Sequence, residues 1–136
     1  MTPNAPLDGV LLFAHGARDP QWATPFQAIA AQLRAQAPAL QVELAFLELM
    51  SPDLPTAAAR LAERGCGQVT VVPLFLGSGG HVRRDLPQLL DQVARQHPLV
   101  RFRHTAAIGE ADGVIRAIAA ETLAMVQAAG VADKTG

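Results

Sequence analysis

Strand-like and helix-like segments alternate four times along this chain of 136 residues, and this alternation limits the possible folds more than any other feature. The strand-like segments are residues 10–14, 41–47, 69–76 and 100–108. Each is followed by apolar residues at helical spacing. Strands that alternate with helices form a parallel sheet that is covered by helices on both faces. We therefore predict an α/β fold, a single three-layer α/β/α domain with a four-stranded parallel sheet.

Capping residues and prolines mark where the helices are expected to begin. Asp19-Pro20 and Ser51-Pro52 each place a capping side chain directly before a proline, the usual order at a helix start. The last helix is expected to fray at Gly130. We assign the domain to residues 9–129, with tails at residues 1–8 and 130–136. The last helix has an apolar face that should cover the sheet: Ile115, Ile118, Ala119, Thr122, Leu123 and Val126.

The composition excludes several classes of protein. A net charge of −1 leaves no basic surface for nucleic acid. The single cysteine, Cys66, excludes a disulfide framework within the chain and a cysteine-rich metal site. No apolar stretch approaches the roughly 20 residues that a bilayer requires, and the first residues lack the pattern of a signal peptide. We expect a cytoplasmic protein that binds neither nucleic acid nor membranes.

Two histidines stand where apolar strands give way to glycine-bearing loops. His15 follows the first strand, and His81 follows the third strand and its loop. The carboxyl ends of parallel strands meet at one edge of a sheet, where such folds bind ligands. Imidazole binds metals and titrates near neutral pH, so the pair indicates a metal or proton-transfer site. His97 is better explained as a favourable charge at a helix end, and His104 as a half-buried strand residue.

Four further charged residues are expected near this edge. Glu48 ends the second strand, where it is either a solvated carboxylate or a third ligand that completes a set of two histidines and a glutamate. Arg18, Arg83 and Arg84 flank the two histidines and could bind carboxylates, and one of the adjacent pair Arg83 and Arg84 is expected to face away. A solvated role on a loop or a helix face explains each of these arginines equally well.

The glycine-rich segment before His81 suggests phosphate binding, but its spacing is wrong. Gly77-Ser78-Gly79-Gly80 is followed by Val82 where a dinucleotide fingerprint requires a third glycine. The segment also lacks the lysine and hydroxyl residue of a Walker loop. We therefore interpret Gly79 and Gly80 as residues that leave room for a ligand close to the backbone.

Three motifs in order resemble those of a known family. They are the segment from Phe13 to Pro20, the segment from Ala45 to Glu48 with Pro52, and the run from Val72 to Leu76 followed by Gly80-His81-Val82 and Asp85-Leu86-Pro87. Together they resemble the small class II chelatases, the sirohydrochlorin cobaltochelatase and ferrochelatase family. The resemblance covers residues 9 to 125 and departs at Ala17, where the family commonly has serine.

The resemblance implies a function and roles for the site residues. The chain would insert a divalent metal, Co²⁺ first and Fe²⁺ or Ni²⁺ as alternatives, into sirohydrochlorin during cobalamin or sirohaem biosynthesis. His15 and His81 would bind the incoming metal, and Glu48 would assist as a ligand or proton acceptor. A non-catalytic carrier of metal or tetrapyrrole on the same fold is the alternative.

The resemblance also implies how the substrates and copies are arranged. The metal would be a substrate, with no permanently bound cofactor. The tetrapyrrole carboxylates would be held by Arg18 and Arg83, beside the loop of Gly79 and Gly80. A chain with one such domain corresponds to a chelatase half-domain, so two identical copies would pair as a homodimer.

Overall fold

The computed structural model describes residues 6–77 and 79–135, without the side chains of residues 81 and 131–135. Four strands and four α-helices alternate along it. In chain order they are β1 (Leu7–Ala14), α1 (Thr24–Gln36), β2 (Gln41–Phe46), α2 (Leu54–Glu63), β3 (Cys66–Pro73), α3 (Gly80–Gln96), β4 (Arg101–His104) and α4 (Asp112–Thr135). Short 3₁₀ helices at Pro20–Ala23 and Ile108–Glu110 precede α1 and α4. Leu7 and Asp8, which we assigned to a tail, thus belong to β1.

The four strands form one parallel sheet in the order β2-β1-β3-β4. Strand β1 lies inside the sheet, and its residues from Leu11 to Ala14 are all buried. Strand β4 is an edge strand of only four residues. The predicted four-stranded parallel α/β fold is confirmed.

Alternate residues of the central strands face two different helix layers. Leu11 and Phe13 of β1 pack with the apolar residues of α2 and α3. Leu12, on the other face, packs with Ala30 and Leu33 of α1. The sheet therefore lies between α1 on one side and α2 with α3 on the other, which gives the three predicted layers.

Two predicted helix starts differ from the structure. The cap of α2 is Asp53 and not Ser51, because the Asp53 carboxylate accepts a hydrogen bond from the backbone N–H of Thr56 at 2.9 Å. The hydrogen bonds from Thr56 lower the pKa of Asp53. Asp19 caps the 3₁₀ turn that precedes α1, through a 2.9 Å bond from the Gln21 N–H.

The third and fourth strands end earlier than their apolar runs. Strand β3 ends at Pro73 and β4 at His104. His81 lies in the first turn of α3 and not in a loop, because α3 already begins at Gly80. His104 is exposed, contrary to the half-buried position that we expected, since β4 is an edge strand.

Helix α4 differs most from the prediction. It continues past Gly130 to Thr135, consistent with the modest cost of one glycine in a helix. Its described side chains are exposed except for the partly buried Val114, so the expectation that its apolar face covers the sheet is wrong for this chain. Within the described residues, no helix is both long and apolar enough to cross a membrane.

Candidate metal and substrate site

The ends of β1 and β2 bring His15 and Glu48 into contact. The two strands are paired in register, with Ala14 opposite Phe46, and the N–H of Leu47 donates to the carbonyl of Ala14 at 2.8 Å. His15 Nδ1 lies 3.0 Å from Glu48 Oε1. The side chains are 49% and 44% exposed respectively. Two residues that lie 33 positions apart in the sequence thus form an accessible pair at the carboxyl edge of the sheet.

The second oxygen of Glu48 holds the turn that follows β1. Glu48 Oε2 accepts a hydrogen bond from the N–H of Gly16 at 3.2 Å. The backbones come so close here that a Cβ on Gly16 would lie 1.8 Å from the carbonyl oxygen of Glu48. Only glycine fits this approach. Sequence reasoning did not single out Gly16, although a glycine directly after the histidine is the available signal.

This geometry defines which nitrogen of His15 is available. An ionised carboxylate only accepts hydrogen bonds, so its partner Nδ1 must carry the proton. Nε2 then keeps its lone pair, which is the form of imidazole that binds a metal. A carboxylate that accepts from the other ring nitrogen also fixes the ring and increases its basicity. Glu48 therefore fixes the orientation of the His15 ring through Nδ1 and leaves Nε2 available to bind a metal.

Two aromatic residues also contact His15, and the sequence analysis did not identify either of them as a site residue. The ring of Phe75 lies against the imidazole, with centroids 4.6 Å apart. The indole N–H of Trp22 donates to the carbonyl oxygen of His15 at 2.7 Å. The backbone and the ring of His15 are therefore both held in place. Phe75 was visible in the sequence only as part of an apolar run.

The backbone of His81 is positioned by a different element, α3. Its backbone lies in the first turn of α3, which follows β3 and is preceded by Gly79 as the capping residue. The side chain of His81 lies outside the described residues. Among the side chains that are described, no cluster of three or more His, Cys, Asp or Glu residues forms a metal site.

The predicted substrate-binding residues lie around this edge. Arg18 is exposed in the turn after β1. Gly79 and Gly80 are exposed where α3 begins, and the carbonyl of Gly79 accepts from the N–H of Arg83 at 3.1 Å. Arg83 also lines a cavity of about 310 Å³ between α3 and the ends of β3 and β4, together with His104.

Comparison with known sequences identifies one matching family and several similar proteins. The model of a family described as CbiX matches residues 9–124. The sirohydrochlorin cobaltochelatase of Sulfolobus acidocaldarius is 33% identical over 92 residues, which are 68% of this chain and 73% of that protein. The sirohydrochlorin cobaltochelatase of Methanopyrus kandleri is 36% identical over 81 residues, 60% of this chain and 57% of that protein.

Comparison with solved structures also identifies proteins that are similar to this chain. A putative cobalamin biosynthesis CbiX protein from Marinobacter aquaeolei superimposes with a TM-score of 0.78 and 30% identity, over 88% of this chain and 98% of that one. The sirohydrochlorin chelatase SirB of Bacillus subtilis subspecies spizizenii, solved in complex with cobalt, gives a TM-score of 0.68 and 26% identity. That match covers 75% of this chain and 44% of SirB. The chain thus spans nearly all of one relative and less than half of the other.

Proposed function

The chain belongs to the CbiX family, and from this membership we propose that it inserts a divalent metal ion into sirohydrochlorin. The resemblance to the small class II chelatases is thereby confirmed. The observation that carries the proposal is the contact between His15 and Glu48 at the carboxyl edge of the sheet. Relatives named for both cobalt and iron insertion match this chain. We propose Co²⁺ as the first substrate metal, with Fe²⁺ or Ni²⁺ as alternatives.

In this proposal His15 receives the metal. Nε2 donates its lone pair to the ion, while the proton on Nδ1 stays hydrogen-bonded to Glu48. The negative charge of Glu48 offsets the positive charge that the imidazole gains when it binds a cation. His81, whose backbone lies at the same edge, would be the second ligand. The metal then exchanges these ligands for the pyrrole nitrogens.

Proton removal is the other half of the reaction. As the divalent ion enters the ring, two pyrrole N–H bonds break and two protons leave. His15 cannot bind the metal and accept a proton through the same nitrogen. Glu48 can accept a proton, because each carboxylate oxygen has two lone pairs and each holds one described hydrogen bond. Since its side chain is 44% exposed, the proton can pass on to water.

The edge also offers surfaces that suit a flat, acidic ring. Leu49 and Leu76 are 64% and 74% exposed in the loops after β2 and β3, where they could contact the macrocycle. The carboxylates of sirohydrochlorin would pair with Arg18 and Arg83 through charge-assisted hydrogen bonds. We also propose that two identical copies pair, since the match to the cobalt-bound SirB covers 44% of SirB. We further propose that the protein acts in the cytoplasm.

Turnover tests the proposed enzyme directly. Purified protein is mixed anaerobically with a large excess of sirohydrochlorin and with Co²⁺, Fe²⁺ or Ni²⁺ in turn, and the absorbance of the ring is followed. We expect many metal insertions per protein molecule with at least one of the metals, above the rate without protein. A rate equal to the protein-free control with all three metals would exclude the enzyme. Metal or ring binding without turnover would identify a carrier instead.

The variant Glu48→Gln tests the role assigned to the carboxylate. The amide keeps a similar shape but loses the charge that offsets the metal and the capacity to accept a proton. We expect insertion to slow by roughly 10–100-fold, the range seen when such supporting partners are removed. Glu63→Gln, at the exposed end of α2, is the matched control and should keep the wild-type rate. A Glu48→Gln rate equal to wild type would show that neither role is needed.

A further inference from the structure

The backbone of Leu49 has a conformation that leucine rarely adopts. Among the residues that the structure describes, it is the only one other than glycine with a positive φ, at 67°. The N–H of Met50 donates to the carbonyl of Glu48 at 2.8 Å, which closes a three-residue turn around Leu49. Such a turn with a positive φ at its central residue is rare and strained, because the side chain is crowded against the backbone. Glycine would form the same turn without this cost.

Contacts on both sides of Leu49 hold the turn in this conformation. The N–H of Phe46 donates to the carbonyl of Pro52 at 2.9 Å, so the two ends of the loop are joined. The side chain of Met50 packs against a buried cluster that includes Phe46. Backbone strain persists only where the surrounding structure fixes the conformation, and strained residues are concentrated where proteins bind ligands.

Packing within the described part of the chain does not explain why this position holds leucine. The side chain of Leu49 is 64% exposed, whereas its neighbour Met50 is partly buried. An exposed leucine adds little to folding stability, and in a strained turn it lowers that stability. The combination of strain and exposure therefore indicates that the side chain makes a contact outside the described chain.

The place of Leu49 in the fold indicates the chemistry of that contact. Its neighbour Glu48 lies 3.0 Å from His15 Nδ1, so Leu49 directly follows the pair that we assign to the metal and the protons. A ring that receives a metal here must place its central nitrogens near Nε2 of His15, and its flat faces then extend over the neighbouring loops. A planar macrocycle is polar at its centre and rim and apolar on its faces, which suits an exposed leucine beside a polar pair.

We propose that the side chain of Leu49 packs against one face of the tetrapyrrole macrocycle and that the strained turn holds it in place for this contact. The inference rests on the proposed function and adds a residue that positions the ring. Because the turn is fixed before the ring arrives, little conformational freedom is lost on binding. A contact of this kind strengthens binding of the ring before and during metal insertion alike, so its loss should raise KM and leave kcat nearly unchanged.

The variant Leu49→Gly separates this role from a structural one. Glycine relieves the strain, so the midpoint of thermal unfolding should rise by about 2–5 °C. It also removes the apolar contact, so the affinity for metal-free sirohydrochlorin should fall roughly 10-fold. The affinity is measured by titration of the ring absorbance without metal, and the insertion assay should show a similar rise in KM.

Two further variants serve as controls for the ring titration. Leu49→Met keeps an apolar side chain of similar volume and should retain the wild-type affinity within about 3-fold. Leu99 is 93% exposed in the turn between α3 and β4, at the opposite edge of the sheet. Leu99→Ala removes an equally exposed leucine there and should bind the ring as the wild type does.

Four results would overturn the proposal, and each has a different meaning. Equal ring affinity of Leu49→Gly and the wild type would exclude the contact and leave the proposed metal insertion intact. A lower unfolding midpoint of Leu49→Gly would show that the leucine stabilises its own fold. A changed oligomeric state of this variant, measured by light scattering, would assign the side chain to a contact between copies. Wild-type protein that binds no ring would overturn the proposed function together with this inference.

Discussion

Replacing His15 by alanine should lower the rate of metal insertion by about 100-fold or more, within the range by which a single catalytic group accelerates a reaction. The variant removes the lone pair that we assign to the metal, and it leaves Glu48 without its imidazole partner. The imidazole is about half exposed, so its loss should change folding stability little. The measurement is the initial rate of the absorbance change of sirohydrochlorin, together with the midpoint of thermal unfolding.

His97→Ala is the matched control for this variant. His97 is the capping residue that follows the carboxyl end of α3, and α3 begins at the carboxyl edge of the sheet, so His97 lies away from the candidate site. The control should insert metal at the wild-type rate. If His15→Ala also kept the wild-type rate, the assignment of the metal to His15 would be wrong even if the protein proved to be a chelatase.

The variant Gly16→Ala should impair both folding and activity. The added methyl group would lie 1.8 Å from the carbonyl oxygen of Glu48 and 3.1 Å from the side chain of Met50, so the loops after β1 and β2 must move apart. Overpacking of this kind costs about 1–3 kcal/mol, equivalent to a fall of roughly 5–10 °C in the unfolding midpoint. The movement also separates Glu48 from His15, which should slow metal insertion by roughly 10–100-fold.

Gly77→Ala provides the comparison at a glycine with free space. No atom lies within 4 Å of a Cβ built on Gly77, and this variant should unfold at the wild-type temperature within about 2 °C. Thermal unfolding and the insertion assay check both variants. If Gly16→Ala matched Gly77→Ala in stability and rate, the close approach of the two loops would be unimportant.

The meeting of His15 and Glu48 could be predicted from the sequence because it depends on strand order alone. Each residue follows an apolar run, and neighbouring parallel strands bring their carboxyl ends to one edge. The finer arrangement depends on atomic distances that no residue pattern contains. Glu48 bonds both His15 and Gly16, and Phe75 lies against the imidazole. These contacts follow from the way in which two loops and a strand end pack together.

The position of α4 shows a second limit of prediction from the sequence. Its periodicity correctly indicated a helix with an apolar face, but periodicity does not specify what covers such a face. Sequence reasoning assigned that face to the sheet of the same chain. The structure leaves it exposed, because the turn at Gly109 is fixed against Leu76 and the backbone at Ala111 is extended.

Location of bound cobalt by anomalous scattering, in crystals grown anaerobically with Co²⁺, tests the central claim most directly. The metal should lie about 2 Å from Nε2 of His15, the usual length of a bond from imidazole to a first-row divalent metal. Nδ1 of the same ring should keep its hydrogen bond to Glu48. Cobalt bound only elsewhere, for example at His97 or His104, would contradict the assignment of the candidate site.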